Sequence, residues 1–321
     1  MRAIREKVLS GEGLSCEEAR ELAGWPLERL GELLELSRQV RERFCGKEVE
    51  LCAIINARSG LCSEDCRFCA QSSRYQTGVE VYPLIGPEKV LEKARRMEAA
   101  GVKRFALVTS GRGIGERDFA RVLEIYRALR AETGLELCAS LGIIDEDKAR
   151  RLREVGVTTY HHNLETGRSY FPQVCTTHTF EERVATIRAA RAAGLNVCSG
   201  GIIGLGESMD HRLEMVFELR ELKVRSVPVN ILNPIPGTPL AGQKPLPREE
   251  ILKTLALFRL IIPEGVFRLC GGREPGLGER QAEALVVAAN GLMVGNYLTT
   301  RGQEIRRDLE MIAAAGLRVA V

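Results

Sequence analysis

Arg104-Phe-Ala-Leu-Val-Thr109 is followed by Glu116-Arg-Asp-Phe-Ala-Arg-Val-Leu-Glu-Ile-Tyr-Arg-Ala-Leu-Arg-Ala-Glu-Thr133, then by Leu135-Glu-Leu-Cys-Ala-Ser-Leu141, Asp145-Glu-Asp-Lys-Ala-Arg-Arg-Leu-Arg-Glu-Val155 and Val157-Thr-Thr-Tyr-His-His-Asn163. The short runs are apolar or β-branched and read as strands. The charged segments between them carry helical periodicity. The same alternation continues outward: Val49 to Asn56 before this stretch, and Asn196 to Ile203, Ser226 to Leu232, Phe267 to Cys270 and Gly291 to Asn296 after it, with helical segments such as Pro87 to Ala100 and Phe180 to Ala193. Eight strand-helix units in about 270 residues predict an α/β fold, a TIM-type (β/α)8 barrel. A doubly wound open sheet is the competing arrangement. The barrel is favoured because unusual residues recur at the carboxyl ends of nearly every strand, where a barrel gathers its chemistry.

Residues 1–46 read as an N-terminal helical extension, with Ser15 and Glu18 in capping-box spacing, and residues 47–321 as one barrel domain. The 321-residue chain carries 46 Lys and Arg against 43 Asp and Glu, a net charge of +3 without a basic arm or stripe. Nucleic acid is therefore not an expected partner. No stretch approaches the roughly 20 apolar residues of a membrane span, and Asn290 and Gly291 interrupt the nearest one. No apolar signal core follows the first residues, so the expected location is cytoplasmic. Ten cysteines in a reducing compartment are not expected to pair as disulfides, which leaves small core residues, ligands or reactive thiols.

Cys62-Ser-Glu-Asp-Cys66-Arg-Phe-Cys69 places three thiols in the loop after the first strand. Chance spacing would give about 0.01 such triplets in a chain of this composition. A structural zinc knuckle needs four closed ligands, and neither the spacing nor a nearby His supplies the fourth. Three thiolates around a four-iron cubane leave one iron open, and an open coordination position is where a metal site does chemistry.

This CxxxCxxC pattern resembles the radical S-adenosylmethionine (SAM) enzymes. The longer string from Gly60 to Gly78 resembles the biotin synthase family among them. The likeness returns at Tyr160–Glu165, Asn196–Glu207, Ser226–Asn230 with Gly237–Leu240, and Arg268–Glu274. It implies that Cys62, Cys66 and Cys69 hold a 4Fe-4S cluster whose open iron is chelated by S-adenosyl-L-methionine. Reductive cleavage of that cofactor then gives a 5′-deoxyadenosyl radical, and two such radicals open two C–H bonds of dethiobiotin for sulfur insertion. The resemblance implies that the sulfur comes from an auxiliary Fe-S cluster. The cofactor-binding positions it implies are Phe68 beside the adenine, Asn163, Glu165 where the family has an Asp on the ribose, Ile202, and Arg183 on the cofactor carboxylate, a pairing suited to a bidentate fork. For the substrate, Asn163 and Asn230 are the expected contacts, together with His161, which stands where the family often has Asn. The resemblance also implies a homodimer and an electron donor such as flavodoxin or ferredoxin.

The auxiliary site departs from the family pattern. Where the family holds a two-iron cluster by three Cys and an Arg, Cys138, Cys198 and Arg268 match, but the remaining Cys position is Ala106. Cys270 lies two residues beyond Arg268, on the same face of its strand. Cys138, Cys198 and Cys270 then lie on the third, fifth and seventh strands, and alternate strands fill one interior layer. The expectation is a four-iron auxiliary cluster on these three thiols, its fourth iron free to carry a sulfide, with Cys52 on the first strand as a candidate fourth ligand. Cys16, Cys45 and Cys175 carry no motif and read as core or surface thiols. The rival functions are another radical SAM barrel enzyme, such as a hydrogenase-maturation protein or a lysine mutase, and a non-catalytic Fe-S redox sensor.

Overall fold

The alternation closes into a ring. In the computed structural model, which describes residues 1–320, the strands are β1 (Glu48–Arg58), β2 (Arg104–Thr109), β3 (Glu136–Ser140), β4 (Val157–His161), β5 (Asn196–Cys198), β6 (Gly201–Ile203), β7 (Ser226–Ile231), β8 (Val266–Leu269) and β9 (Gly291–Met293). All pair in parallel, and β9 returns to β1, with Leu51 opposite Leu292, so the sheet has no free edge in the barrel. β5 and β6 are two halves of one stave, both on β7, which makes eight staves.

Pro228 explains that split. In a parallel pair the Ser199 amide donates to the Ser226 carbonyl at 3.0 Å, and the amide of residue 228 would answer to the Ser199 carbonyl. Proline has no amide hydrogen. Gly200 instead passes so close to Pro228 that a β-carbon there would lie 2.0 Å from the proline carbonyl oxygen. The sequence reading of one strand over Asn196–Ile203 therefore has the right residues but an interruption at Ser199 and Gly200.

Three helices precede the barrel, α1 (Arg2–Ser10), α2 (Cys16–Ala23) and α3 (Leu30–Cys45). The Ser15 and Glu18 capping box is present, the Glu18 amide donating to Ser15 Oγ at 3.2 Å and the Ser15 amide to Glu18 Oε2 at 2.7 Å. The outer ring is α4 (Pro87–Ala99), α5 (Glu116–Glu132), α6 (Glu146–Glu154), α7 (Phe180–Ala192), α8 (Met209–Glu221) and α9 (Arg248–Ile261), followed by α10 (Arg273–Leu277), α11 (Gln281–Val287) and α12 (Ile305–Ala314). Ser37 on α3 donates to the Val287 carbonyl at 2.7 Å, and Arg41 reaches the carbonyl of Glu48, the first residue of β1, at 3.1 Å. A short strand absent from the sequence reading, β10 (Arg318–Val319), pairs with the first residues of β1.

The period of two divides the barrel into two environments. Leu51, Ala53, Phe105, Leu107, Leu137, Ala139, Val227, Val229, Phe267 and Leu269 are fully buried under the helices, each large side chain contributing about 1.5–3 kcal/mol of burial. The alternate residues point inward, and many are polar or thiols: Glu50 and Cys52 on β1, Arg104 on β2, Cys138 on β3, His161 on β4, Cys198 on β5, Asn230 on β7 and Arg268 on β8.

Candidate active site

A cavity of about 400 Å³ occupies the barrel at the carboxyl ends of the strands. Its mouth is the long connection between β1 and α4. There Gly60, at φ 76°, turns the chain so tightly that a β-carbon would fall 2.7 Å from Val81. The loop is held by its own backbone: the Cys62 amide donates to the Gln71 carbonyl at 3.0 Å, the Ser73 amide to the Cys62 carbonyl at 2.8 Å and the Cys69 amide to the Cys66 carbonyl at 2.9 Å. Cys62, Cys66 and Cys69 all line the cavity, as does Phe68. Burial pushes the Cys69 thiol up to about 11.

Arg183 enters from α7, with Nη1 donating to the Asn163 carbonyl at 2.9 Å and lying 3.6 Å from Glu165 Oε1. Asn163 Nδ2 donates to Glu165 Oε2 at 3.3 Å, and its Oδ1 accepts from the Gly200 amide at 3.3 Å. Glu165 is held at φ 72°, a left-handed conformation fixed by the Ile202 amide donating to its carbonyl at 2.8 Å. Burial raises the Glu165 carboxyl above its usual range, and Arg183 opposes that shift. Ile202 and Phe68 each pack against a small apolar cluster of Val174, Leu205 and Leu240, and Ile202 does not line the cavity.

Asn230 and His161 face the same space. Asn230 Nδ2 donates to the Gly201 carbonyl at 3.3 Å and Oδ1 accepts from the Gly271 amide at 3.0 Å. These bonds fix the amide plane and leave one N–H and one lone pair. Burial, with the nearby Arg268 and Arg104, lowers His161 to about 3, so its ring is neutral.

The floor carries the second thiol group. Cys52, Cys198 and Cys270 line it with Arg104 and Arg268. Cys270 lies one residue beyond β8, yet its amide still donates to the Val229 carbonyl at 3.0 Å, which keeps it on the Arg268 face. Ser226 Oγ donates to Cys198 Sγ at 3.1 Å, and Arg268 Nη1 donates to Ser226 Oγ at 3.3 Å. Burial opposes the Arg268 charge, but Cys52, Cys198 and Glu50 outweigh it and hold its pKa above the ordinary arginine value. Cys138 faces the same barrel interior, near enough to Cys52, Cys198, Arg104 and Arg268 for their charges to act on its thiol. Directly opposite Ala106 in the register, it packs with Ile54, Ala106 and Val108 and does not line the cavity.

Burial pushes Cys52 up to about 11 and Cys138 up to about 12. Such thiols keep their protons until a metal replaces them. The donor set suits iron–sulfur clusters: all ten cysteines are free, two thiol groups face one space, and among the described residues Arg268 Nε is buried with no hydrogen-bond partner.

Sequence reasoning missed a network behind the first cysteines. Cys175 Sγ lies 3.8 Å from Cys66 Sγ and 3.2 Å from His178 Nδ1, and Glu64 Oε2 lies 2.6 Å from the same ring nitrogen. The signal was a Cys and a His three residues apart just ahead of α7, whose partners are more than 100 residues away.

Residues 58–219 match the Radical SAM superfamily, and residues 228–318 match the Biotin and Thiamin Synthesis associated domain. A biotin synthase from Pelotomaculum thermopropionicum is 58% identical over 98% of this chain and 98% of its own. One from Heliobacterium modesticaldum is 51% identical over 99% and 98%. The barrel and its thiol loop thus define a radical SAM enzyme. Within that superfamily, the chain belongs to the biotin synthase family. Among solved structures, a methylornithine synthase superposes with a TM-score of 0.84 at 22% identity over 99% of this chain and 97% of its own. An FeFe-hydrogenase maturase from Carboxydothermus hydrogenoformans reaches 0.85 at 18% over 99% and 79%. At those identities the likeness concerns the fold.

Proposed function

We propose that this chain inserts sulfur between two unactivated carbons of dethiobiotin, and that the sulfur comes from a four-iron auxiliary cluster on the cavity floor. The observation that carries the reading is one cavity with thiols at both depths, Cys62, Cys66 and Cys69 at the mouth and Cys52, Cys198 and Cys270 with Arg268 at the floor. A substrate between them would meet a radical source on one side and a sulfur source on the other.

When bound and reduced, the 4Fe-4S cluster and SAM supply a 5′-deoxyadenosyl radical. Cys62, Cys66 and Cys69 hold that cluster as three thiolates. Arg183 would offer its fork to the cofactor carboxylate, Asn163 and Glu165 would take the ribose, and Phe68, with Ile202 on the same apolar cluster, would meet the adenine. Asn230 and Asn163 orient the ureido ring, since a primary amide donates and accepts in one plane as a cyclic urea does. His161, neutral, can add one donor or acceptor without a charge.

Cys138, Cys198 and Cys270 are the auxiliary ligands in this reading, and Cys52 is the candidate fourth. Ala106 stands opposite Cys138, which removes one thiol of the two-iron arrangement and supports the four-iron form. The position of Cys52 on the cavity wall supports its membership, and a set of three leaves one iron open for the transferable sulfide. The division into a helical extension, residues 1–46, and a barrel domain, residues 47–321, belongs to the same proposal, as do a homodimer, a flavodoxin or ferredoxin as electron donor, and a cytoplasmic setting. Among the described residues no helix is long and apolar enough to cross a membrane.

The test is anaerobic turnover of the reconstituted protein with dithionite, SAM and dethiobiotin. The proposal expects biotin and two 5′-deoxyadenosines for each biotin. Deoxyadenosine without biotin, under conditions that load both clusters, would refute it.

A further inference from the structure

Arg183 is not held by the cavity wall alone. Its Nε donates to His178 Nε2 at 3.1 Å, and His178 Nδ1 lies 2.6 Å from Glu64 Oε2. An arginine Nε–H can only donate, so His178 Nε2 must be the bare nitrogen and the ring proton sits on Nδ1, where it donates to Glu64. His178 and Glu64 are both buried, 7% and 6% exposed. Phe171 closes the ring on another side, its centroid 5.7 Å from that of His178 and 5.6 Å from the Arg183 guanidinium carbon. Thr177 Oγ1 donates to Glu64 Oε2 at 2.8 Å and fixes the far end of the relay.

Two bonds, to His178 and to the Asn163 carbonyl, fix the plane of the guanidinium. Among the described residues its Nη2 has no hydrogen-bond partner, and Arg183 lines the cavity. Glu64 lies between Cys62 and Cys66 in sequence. The relay therefore ties the loop proposed to carry the cluster to the arginine proposed to hold the cofactor carboxylate.

We infer that His178 and Glu64 are positioning residues for SAM: the relay Glu64–His178–Arg183 presets the guanidinium so that the cofactor carboxylate meets an oriented fork. This rests on the reading of Arg183 given above. A preset fork lowers the ordering cost of binding, so loss of the relay appears in cofactor affinity more than in the chemical step.

The experiment compares His178→Gln with His178→Leu, two variants of similar size, in reconstituted holoenzyme whose four-iron absorbance matches the wild type. Glutamine can donate to Glu64 through its amide nitrogen and accept from Arg183 through its oxygen, whereas leucine can do neither. His178→Leu should raise the KM for SAM about tenfold, the loss of about one buried hydrogen bond to a charged group, with kcat within about twofold. It should also weaken the SAM-induced change in the electron paramagnetic resonance spectrum of the reduced cluster. His178→Gln should restore both to near wild-type values. In the double variant with Arg183→Ala, His178→Leu should add nothing to the loss caused by Arg183→Ala, because it acts through that residue. Equal KM for the Gln and Leu variants, or additive losses in the double variant, would overturn the relay. An unchanged KM in Arg183→Ala alone would instead overturn the reading of Arg183 on which it rests.

Discussion

Arg268 Nη2 donates to Glu50 Oε2 across 2.8 Å, from β8 to β1, on either side of β9, the strand that closes the barrel. Glu50 also lies 3.6 Å from Arg104 Nη1. Arg104 Nε is also 2.9 Å from Glu136 Oε2, so Glu50 is the principal anion for Arg268 beside Cys52 and Cys198. Glu50→Ala leaves the buried guanidinium without its anion, and the metal-free protein should lose about 2 kcal/mol of stability. Equilibrium urea unfolding checks this through its midpoint; an unmoved midpoint would show that the pair contributes nothing measurable.

The auxiliary site can be isolated by removing the other. A Cys62/Cys66/Cys69 triple-Ala variant, reconstituted anaerobically, should retain about four irons and show four-iron Mössbauer spectra if three thiolates hold a cubane. Two irons with two-iron spectra would refute that nuclearity. In the same background Cys198→Ala and Cys270→Ala should each lose the cluster. Cys138→Ala should lose it as well, and Cys52→Ala then decides whether Cys52 is a fourth ligand, since a cluster retained in that variant leaves the set at three.

Asn230, the proposed contact to the ureido ring, holds a single amide plane. Asn230→Ala removes the bonds to Gly201 and Gly271 together with any bond to substrate. Dethiobiotin affinity should fall about tenfold or more, from the loss of one or two buried hydrogen bonds, whereas SAM cleavage without substrate should be unaffected. Equilibrium binding of dethiobiotin to the cofactor-loaded protein measures it. Unchanged binding would remove Asn230 from the substrate site.

His161 gives a pH dependence with a definite sign. Its folded pKa, about 3 against an ordinary 6.5, is lowered by burial and by Arg268 and Arg104. The folded state therefore binds fewer protons than the unfolded state between those values, so stability rises with pH across that window. It is fully present above the unfolded value and lost as pH falls toward about 3. Replacing His161 with Asn should flatten the slope of unfolding free energy against pH between about 4 and 6.5 in metal-free protein. An identical slope in wild type and His161→Asn would place the acid sensitivity elsewhere, for instance at buried His162, which burial also lowers.

Periodic features were legible in the sequence and tertiary conjunctions were not. Strand and helix periods located the staves to within a few residues, and Cys62, Cys66 and Cys69 declared themselves because their spacing is local. The interruption between β5 and β6 was hidden because its cause, Pro228, sits on another strand. The alternation of two put Cys270 on the face of Arg268, but it carried no information on depth: Cys52 lines the cavity, whereas Cys138 sits among Ile54, Ala106 and Val108, near enough to feel Cys52 and Cys198. His178 was invisible for a similar reason. Nothing near it in sequence marks it, and its role depends on Glu64 arriving from a loop 114 residues away.

The central claim, sulfur transfer from a cluster on the barrel floor, is tested most directly by isotope. The protein is reconstituted with ³⁴S-sulfide, freed of unbound sulfide and given dethiobiotin, SAM and reductant for a single turnover, after which the biotin is weighed by mass spectrometry. The account predicts biotin two mass units heavier than the natural-abundance product, and loss of both heavy biotin and auxiliary-cluster absorbance in Cys198→Ala. Biotin formed at natural mass would contradict it, because the sulfur would then have come from somewhere other than the protein-bound cluster.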